Sequence, residues 1–190
     1  MMHESGGTDE AAMIARARRG DMAAFATLVE RYQSPVHNLA YRMLGGAPEA
    51  EDAAQETFLR AYRRLGSYQP SRKFASWLLS IAAHYCIDQL RRSRGYQASL
   101  DDTLMQESLI SDDPQPEALV LQPERSEDIQ ARLATLPAAQ RAVLALRYWS
   151  DLSLAEIAGI TGDSEGAVKV QLFRARQRLA RSLKASMEHL

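Results

Sequence analysis

An acidic, proline-containing segment divides the chain, and it constrains the fold more than any other feature. Residues 96–127 contain eight acidic residues, one basic residue and three prolines. Because like charges repel and prolines interrupt helices, this segment is predicted to be a flexible acidic linker. The remaining residues are therefore predicted to form two small domains, at 10–95 and 128–190, preceded by a disordered N-terminus at 1–9.

The two predicted domains are both basic, although the whole chain has a net charge of −1. Residues 1–95 hold 13 Lys and Arg against 10 Asp and Glu, and residues 128–190 hold nine against six. Each of these two segments thus carries a net +3. Basic segments on both sides of an acidic one indicate a nucleic-acid partner for the domains and a different role for the linker.

Several classes of protein are excluded by composition. The longest nearly apolar run, 77–87, is well short of the roughly 20 residues of a membrane span. The N-terminus lacks the apolar block of a secretory signal. The single cysteine, Cys86, cannot form an internal disulfide. We therefore expect no membrane insertion and a cytoplasmic location.

Apolar spacing and turn residues predict five helices in the first domain and no strand, so the fold class is all-α. The predicted helices cover 10–19, 21–32, 36–44, 49–65 and 74–92, with a polar loop at 67–73. Asp21 is predicted to cap the second helix, and Pro35 to open the third. The fourth helix has an inward stripe of Ala54, Phe58, Ala61 and Leu65, beside a second stripe that is mostly polar.

The last domain is predicted to contain three helices that include a helix-turn-helix. The first runs from Pro137 to Trp149. Ser153 and Glu156 match a capping box, which opens a short helix that ends near Gly159. A third, basic helix follows Ser164 and buries one apolar stripe. That stripe is Val168, Leu172, Ala175 and Leu179. A short capped helix, a turn and a longer basic helix are typical of a DNA reader.

The exposed side of this basic helix carries the candidate DNA contacts. Lys169 and Arg174 can donate to guanine edges or to phosphates. Arg176, Arg178, Arg181 and Lys184 are better placed for phosphates. The alternative for any one of these arginines is an ordinary solvated helix face.

A second candidate surface for nucleic acid lies in the first domain. Aromatic residues alternate there with basic ones. They are Tyr68, Phe74, Trp77, Tyr85 and Tyr96, with Arg72, Lys73, Arg91, Arg92 and Arg94. Aromatic faces stack on unpaired bases while cations follow the phosphates. The alternative is structural, since Phe74 and Trp77 have the spacing of core residues.

No set of residues indicates catalysis. The four histidines do not form a metal-ligand pattern. Asp52 and Glu56 lie one helical turn apart, but no histidine or metal ligand accompanies them. We expect no enzymatic activity, no metal and no cofactor.

Three segments resemble bacterial sigma factors. Residues 51–62 are similar to the polymerase-binding helix, and residues 73–78 with 87–92 to the promoter-melting segment. Similarity to the C-terminal promoter reader is found at residues 136–137, 154–158 and 166–176. Two such domains joined by a linker resemble the extracytoplasmic-function (ECF) subgroup.

The resemblance implies a role for each matching position. The clamp helices of the largest polymerase subunit would contact Asp52, Gln55, Glu56 and Leu59. The loop at 67–74 would hold a flipped-out base of the −10 element on the non-template strand. The −10 contacts would be Tyr68, Arg72, Lys73, Phe74, Trp77, Arg91 and Arg92. The −35 contacts, on duplex DNA, would be Gly166, Lys169, Val170, Phe173, Arg174 and Arg176.

The resemblance also implies further partners and leaves other functions open. The acidic linker would enter the active-site cleft and RNA exit path of core RNA polymerase, and an anti-sigma protein would cover both domains. The family often has Arg and Asn at the positions of Ser80 and His84, and Ser at the position of Val170, so the promoter sequence is not specified. A ligand-responsive repressor would instead dimerise on duplex DNA, and a helical adaptor would bind protein only.

Overall fold

The computed structural model describes residues 5–93 and 126–187, with side chains described over 9–93 and 128–182. The helices are α1 (Ser5–Arg18), α2 (Met22–Leu44), α3 (Ala47–Arg64), α4 (Phe74–Ser93), α5 (Ser126–Ala134), α6 (Ala138–Trp149), α7 (Leu154–Thr161) and α8 (Glu165–Met187). A short 3-10 turn, Leu65–Ser67, follows α3. Within these ranges there is no strand, which confirms the all-α prediction. The first helix begins inside the predicted disordered N-terminus, and most of the predicted linker lies outside the described residues.

The junction of α1 and α2 follows the sequence pattern. Gly20 has a φ of 92°, a left-handed conformation that glycine adopts at little cost. The Asp21 carboxylate accepts a hydrogen bond from the Ala24 N–H at 3.0 Å. That bond, together with one from Arg16, lowers the pKa of Asp21 below its ordinary value. Asp21 is therefore the N-cap of α2, as predicted.

The prediction that Pro35 opens a new helix is wrong, because α2 is continuous through it. A proline inside a helix costs about 3 kcal/mol, since it lacks an N–H and crowds the preceding turn. Pro35 is exposed, whereas Leu28, Val36 and Leu39 are buried. Each buried side chain of this size contributes about 1.5–3 kcal/mol, so the packing of one long helix outweighs the cost of the proline.

The inward face of α3 is turned slightly from the predicted stripe. Ala61 and Leu65 are buried as predicted, but Ala54 and Phe58 are only half-buried. Their place is taken by Ala53 and Thr57. Thr57 is polar, yet its hydroxyl donates to the Ala53 carbonyl at 2.7 Å, which allows its burial.

The last domain has one more helix than predicted. The additional helix is α5, whose Leu133 is buried beside Leu136. The capping box of α7 is confirmed, with Ser153 and Glu156 each accepting a backbone N–H. The predicted end at Gly159 is wrong. The helix continues to Thr161 and is followed by Gly162, which adopts the left-handed conformation that a helix end favours.

The two domains pack against each other. Helix α2 contacts α5 and α6 as well as its own neighbours, and α4 contacts α6 and α7. Buried apolar side chains of α6 and α7 form one continuous core with those of α2 and α4. None of the described helices is long and apolar enough to cross a membrane.

Candidate polymerase and promoter surfaces

The predicted polymerase-binding residues lie on the outer side of α3. Asp52 and Gln55 are exposed, and Leu59 is 52% exposed although it is a large apolar residue. Glu56 is half-buried and forms an ion pair with Arg60 at 2.7 Å. The opposite side of α3 packs against the core. The outer side is thus a mixed polar and apolar stripe on a helix fixed from behind.

Two exposed apolar residues near this stripe, Tyr62 on α3 and Met22 on α2, were missed by sequence reasoning. Tyr62 is 40% exposed, and its ring meets Phe25 edge-on at 5.0 Å. Met22, one helical turn before Phe25, is also exposed. Tyr62 lies three residues after Leu59, so helical spacing could have identified it. Met22 comes from α2, which packs on α3.

The loop between α3 and α4 rests on a cluster of aromatic rings. Tyr68 and Phe74 are only 6% and 2% exposed, and Trp77 is half-buried. The Tyr68 ring lies 5.4 Å from Phe74 and 5.3 Å from Trp77. The Tyr68 hydroxyl also donates to the Arg72 carbonyl at 2.5 Å. The structural alternative, stated for Phe74 and Trp77, thus fits the buried Phe74 better than the half-buried Trp77, and Tyr68 packs beneath the loop as well.

A cleft of about 330 Å³ opens between this loop and α1. The loop contributes Pro70, Ser71, Arg72 and Lys73 to its wall, and α1 contributes Ile14 and Arg18. Arg18 also donates to the Gly66 carbonyl at 3.1 Å and so ties the loop to α1. The contribution of α1 was not foreseen, since α1 is distant in sequence from the loop.

A second cleft, of about 320 Å³, lies beside Trp77. Its wall includes Arg60, Arg64 and His84. Arg60 also lies over the Tyr85 ring, 4.8 Å from its centroid. Two guanidinium groups beside a half-buried indole make a surface suited to a nucleotide strand.

The remaining predicted −10 contacts differ in their surroundings. Arg91 and Arg92 are exposed in the last turn of α4. Lys73 is exposed, but its ammonium group lies 2.8 Å from the Glu156 carboxylate of α7. The hydrogen bond from Lys73, with those from Ser153, lowers the pKa of Glu156 to about 2.

The recognition helix, α8, presents its first turns to solvent. The Ser164 hydroxyl accepts the Ala167 N–H at 3.1 Å and caps the helix. Lys169 and Gly166 are exposed, and Val170 and Phe173 are each 38% exposed. The predicted buried stripe is confirmed at its first three positions. Those are Val168, Leu172 and Ala175, while Leu179 is half-buried.

The two arginines predicted for the −35 element are less exposed. Arg174 and Arg176 are both half-buried. Arg176 donates to the Tyr148 hydroxyl at 2.8 Å, and its guanidinium lies 5.7 Å from the centre of that ring. Among the predicted −35 contacts, the exposed side chains are thus Lys169, Val170 and Phe173.

Comparison with known proteins identifies the family. The model for Sigma-70 region 2 matches residues 28–96, and that for Sigma-70 region 4 matches residues 126–179. The ECF RNA polymerase sigma factor SigW of Bacillus subtilis is 37% identical over 177 residues, covering 90% of this chain and 95% of SigW. The chain belongs to the ECF sigma factor family. It is a regulatory protein that binds core RNA polymerase and directs promoter recognition, opening of the −10 region and transcription initiation. The repressor alternative is not supported.

Two solved structures resemble the fold of this ECF sigma factor. CnrH in complex with the cytosolic domain of CnrY aligns with a TM-score of 0.68 at 23% identity, covering 93% of this chain and 98% of that one. The sigma factor RpoE from Bartonella quintana, in complex with the anti-sigma factor NepR, aligns with a TM-score of 0.62 at 27% identity, covering 84% of this chain and 96% of that one.

Proposed function

We propose that α3 is the main contact of this sigma factor with polymerase. The clamp helices of the largest subunit would lie on Asp52, Gln55, Glu56 and Leu59. The observation that supports this is the exposure of Leu59 among polar neighbours, on a helix whose other side is buried. An exposed apolar side chain within a polar stripe is typical of a protein-binding surface. Met22 and Tyr62 would extend the contact toward α2.

The −10 strand would pass over the loop at 67–74 and into the clefts beside it. A flipped base needs a pocket lined by polar groups and closed by apolar ones, and the cleft at Arg72 has both. Arg72, Lys73, Arg91 and Arg92 would follow the phosphates, and the half-buried Trp77 would stack on a base. Tyr68 and Phe74 would act from beneath by fixing the loop. Arg60 and Arg64 join this proposal because they line the second cleft.

The −35 duplex would receive the first turns of α8 in its major groove. Lys169 can donate to a base edge or phosphate, while Val170 and Phe173 suit the methyl groups of thymine. Gly166 allows close approach of the backbone at the helix start. Arg174 and Arg176 would contact phosphates from the sides of the groove, and Arg176 is held for that role by Tyr148.

The other partners are proposed more briefly. We expect an anti-sigma protein to cover both domains, since the two structural relatives were solved with CnrY and NepR. The acidic linker is expected to enter the polymerase cleft, and we expect the protein to act in the cytoplasm. The polymerase performs the chemistry.

A mobility-shift experiment with and without core polymerase tests this function. The segments 1–95 and 128–190 each carry only a net +3, and affinity for duplex rises with the number of phosphates neutralised. The free chain should therefore bind promoter DNA poorly, whereas the polymerase complex should bind it specifically and in a salt-sensitive way. Non-promoter DNA of equal length is the control. A free dimer that binds a palindromic duplex at nanomolar concentration would establish the repressor function instead.

A further inference from the structure

The cleft between α1 and the loop at 67–74 contains a carboxylate. Among the described residues that line it, Glu10 of α1 is the acidic one, beside the basic Arg18, Arg72 and Lys73. A negative charge weakens the attraction of a surface for phosphates. General affinity for nucleic acid therefore does not explain Glu10, and a more specific role has to be considered.

One oxygen of the Glu10 carboxylate is held by α2. The Tyr32 hydroxyl donates to Oε1, and the Arg31 guanidinium lies 3.5 Å from the same oxygen. Tyr32 is half-buried. Burial raises the pKa of Tyr32, and the hydrogen bond to Glu10 raises it further. The hydroxyl thus keeps its proton and remains a donor to Oε1.

The structural alternative is that Glu10 only anchors α1 to α2, and it accounts for one oxygen alone. Within the described side chains, 9–93 and 128–182, the hydrogen bonds and the ion pair of Glu10 all involve Oε1. The side chain is 25% exposed, at the wall of the cleft. Asp9 also pairs with Arg31, at 3.6 Å, so α1 is anchored without Oε2. This second oxygen is therefore available to a ligand in the cleft.

The same contacts fix Glu10 relative to the loop. The Tyr32 ring lies 5.4 Å from the ring of Phe74, which packs beneath the loop. Burial raises the pKa of Tyr68, and the negative charge of Glu10 adds to that rise, so this charge acts on the loop. An acceptor whose own support is fixed by packing can discriminate between ligands, since it cannot move away from an unsuitable group.

The chemistry of a carboxylate determines which base it suits. A carboxylate can accept hydrogen bonds but has none to donate. A flipped base is read along its Watson–Crick edge. Adenine, cytosine and guanine each carry an exocyclic amino group that donates, whereas thymine carries two carbonyl oxygens and no amino group. Because a carboxylate repels those oxygens, Glu10 is expected to disfavour thymine.

We propose that Glu10 is a specificity-determining residue of the −10 pocket: its Oε2 accepts from the exocyclic amino group of the flipped base, so that the pocket selects an amino-bearing base over thymine. Tyr32 is a positioning residue, which acts by holding Oε1. The proposal rests on the proposed function of the loop at 67–74 and its cleft. It assigns to α1 a part in promoter selection that the loop residues alone do not provide.

Transcription from a promoter library tests this assignment. Core polymerase with the full-length chain transcribes templates randomised over both promoter elements, each with a barcode in its transcribed region. RNA sequencing then reports the preferred base at every position. The wild-type chain should disfavour thymine about fivefold at one −10 position, and the base preferred there distinguishes adenine, cytosine and guanine. Glu10→Gln should remove that discrimination and leave the other positions unchanged, because its amide still accepts from Tyr32 but can also donate to thymine.

Two further variants separate specificity from stability. Asp9→Asn is the matched control, since Asp9 is a neighbouring carboxylate that pairs with Arg31 but does not line the cleft, and its profile should equal that of wild type. Tyr32→Phe keeps the ring beside Phe74 and releases Oε1, so it should weaken the discrimination at the same position as Glu10→Gln. A purely structural effect would instead lower transcription from all promoters alike.

The outcomes distinguish this inference from the proposed function. A Glu10→Gln profile identical to wild type, or a uniform loss without a changed base preference, would overturn the role of Glu10. An unchanged profile for Tyr32→Phe would overturn its positioning role. A wild-type chain that enriches no −10 sequence with core polymerase would overturn the proposed function and the inference together.

Discussion

Glu156 takes part in two contacts at once, one inside its helix and one between domains. Its carboxylate accepts from the Ser153 N–H at 3.0 Å and from Lys73 at 2.8 Å. These bonds lower its pKa from 4.5 to about 2. A lowered pKa adds stability that is complete above the ordinary pKa and is lost as the pH falls toward the folded-state value.

The pH dependence of unfolding tests how far the charge of Glu156 stabilises the fold. Glu156→Gln keeps a capping box, since Gln also serves at that position, but removes the charge. The difference in unfolding free energy between wild type and E156Q should be largest above pH 4.5. It should shrink as the pH falls toward about 2, because the wild-type carboxyl then loses its charge. Urea unfolding at several pH values measures it, and a difference independent of pH would contradict the assignment.

Substitutions of Lys169 and Arg181 can be compared to distinguish base recognition from phosphate binding. Both are exposed on α8, but Lys169 lies in its second turn and Arg181 far along it. If Lys169 contacts a base, Lys169→Ala costs about 1–3 kcal/mol and relaxes the preference at one −35 position. Arg181→Ala should weaken binding evenly and lower the salt slope by about one. Transcription from a set of −35 variants separates the two, and the reverse pattern would exchange the roles.

At the scale of the element, one face of α3 packs in the core and the opposite face is the one proposed to bind polymerase. The substitution Asp52→Ala with Gln55→Ala alters only exposed side chains. Its effect on the unfolding free energy should stay within about 1 kcal/mol, as is usual for surface sites. Capture of core polymerase by the immobilised sigma factor should fall strongly. Thr57→Ala is the opposite control, since it removes a buried hydroxyl bond. A double variant that captures polymerase as well as wild type would disprove the assignment.

The elements predicted correctly are those that depend on neighbouring residues. Asp21 and the Ser153–Glu156 capping box satisfy backbone groups three residues away, so the sequence alone identifies them. Pro35 and α5 were mispredicted because packing against other helices decides them. The exposed residues of α3 and α8 followed from helical spacing. The cleft between α1 and the loop and the capping of α2 by Arg141 could not be predicted, since they join residues 48 to 98 positions apart.

At the scale of the whole molecule, the packing of the two domains is an intramolecular binding equilibrium. The acidic segment, predicted from composition to be a linker, tethers two surfaces that meet at Arg42, Arg141 and Glu156. The effective concentration of one surface at the other falls roughly as the −3/2 power of tether length. The length of the linker therefore sets the ratio of separated to packed domains.

Lengthening the linker tests this equilibrium without altering either surface. An insertion of 32 Gly and Ser residues after residue 110 would double the segment between α4 and α5. The effective concentration should fall about threefold, so the ratio of separated to packed domains should rise about threefold. A carbodiimide joins the Lys73 ammonium and the Glu156 carboxylate, 2.8 Å apart in the packed state, as an amide, and the yield of this cross-link should fall accordingly. The same insertion placed before residue 5 is the control and should leave the yield unchanged. An unchanged yield after the linker insertion would contradict control of domain packing by the tether.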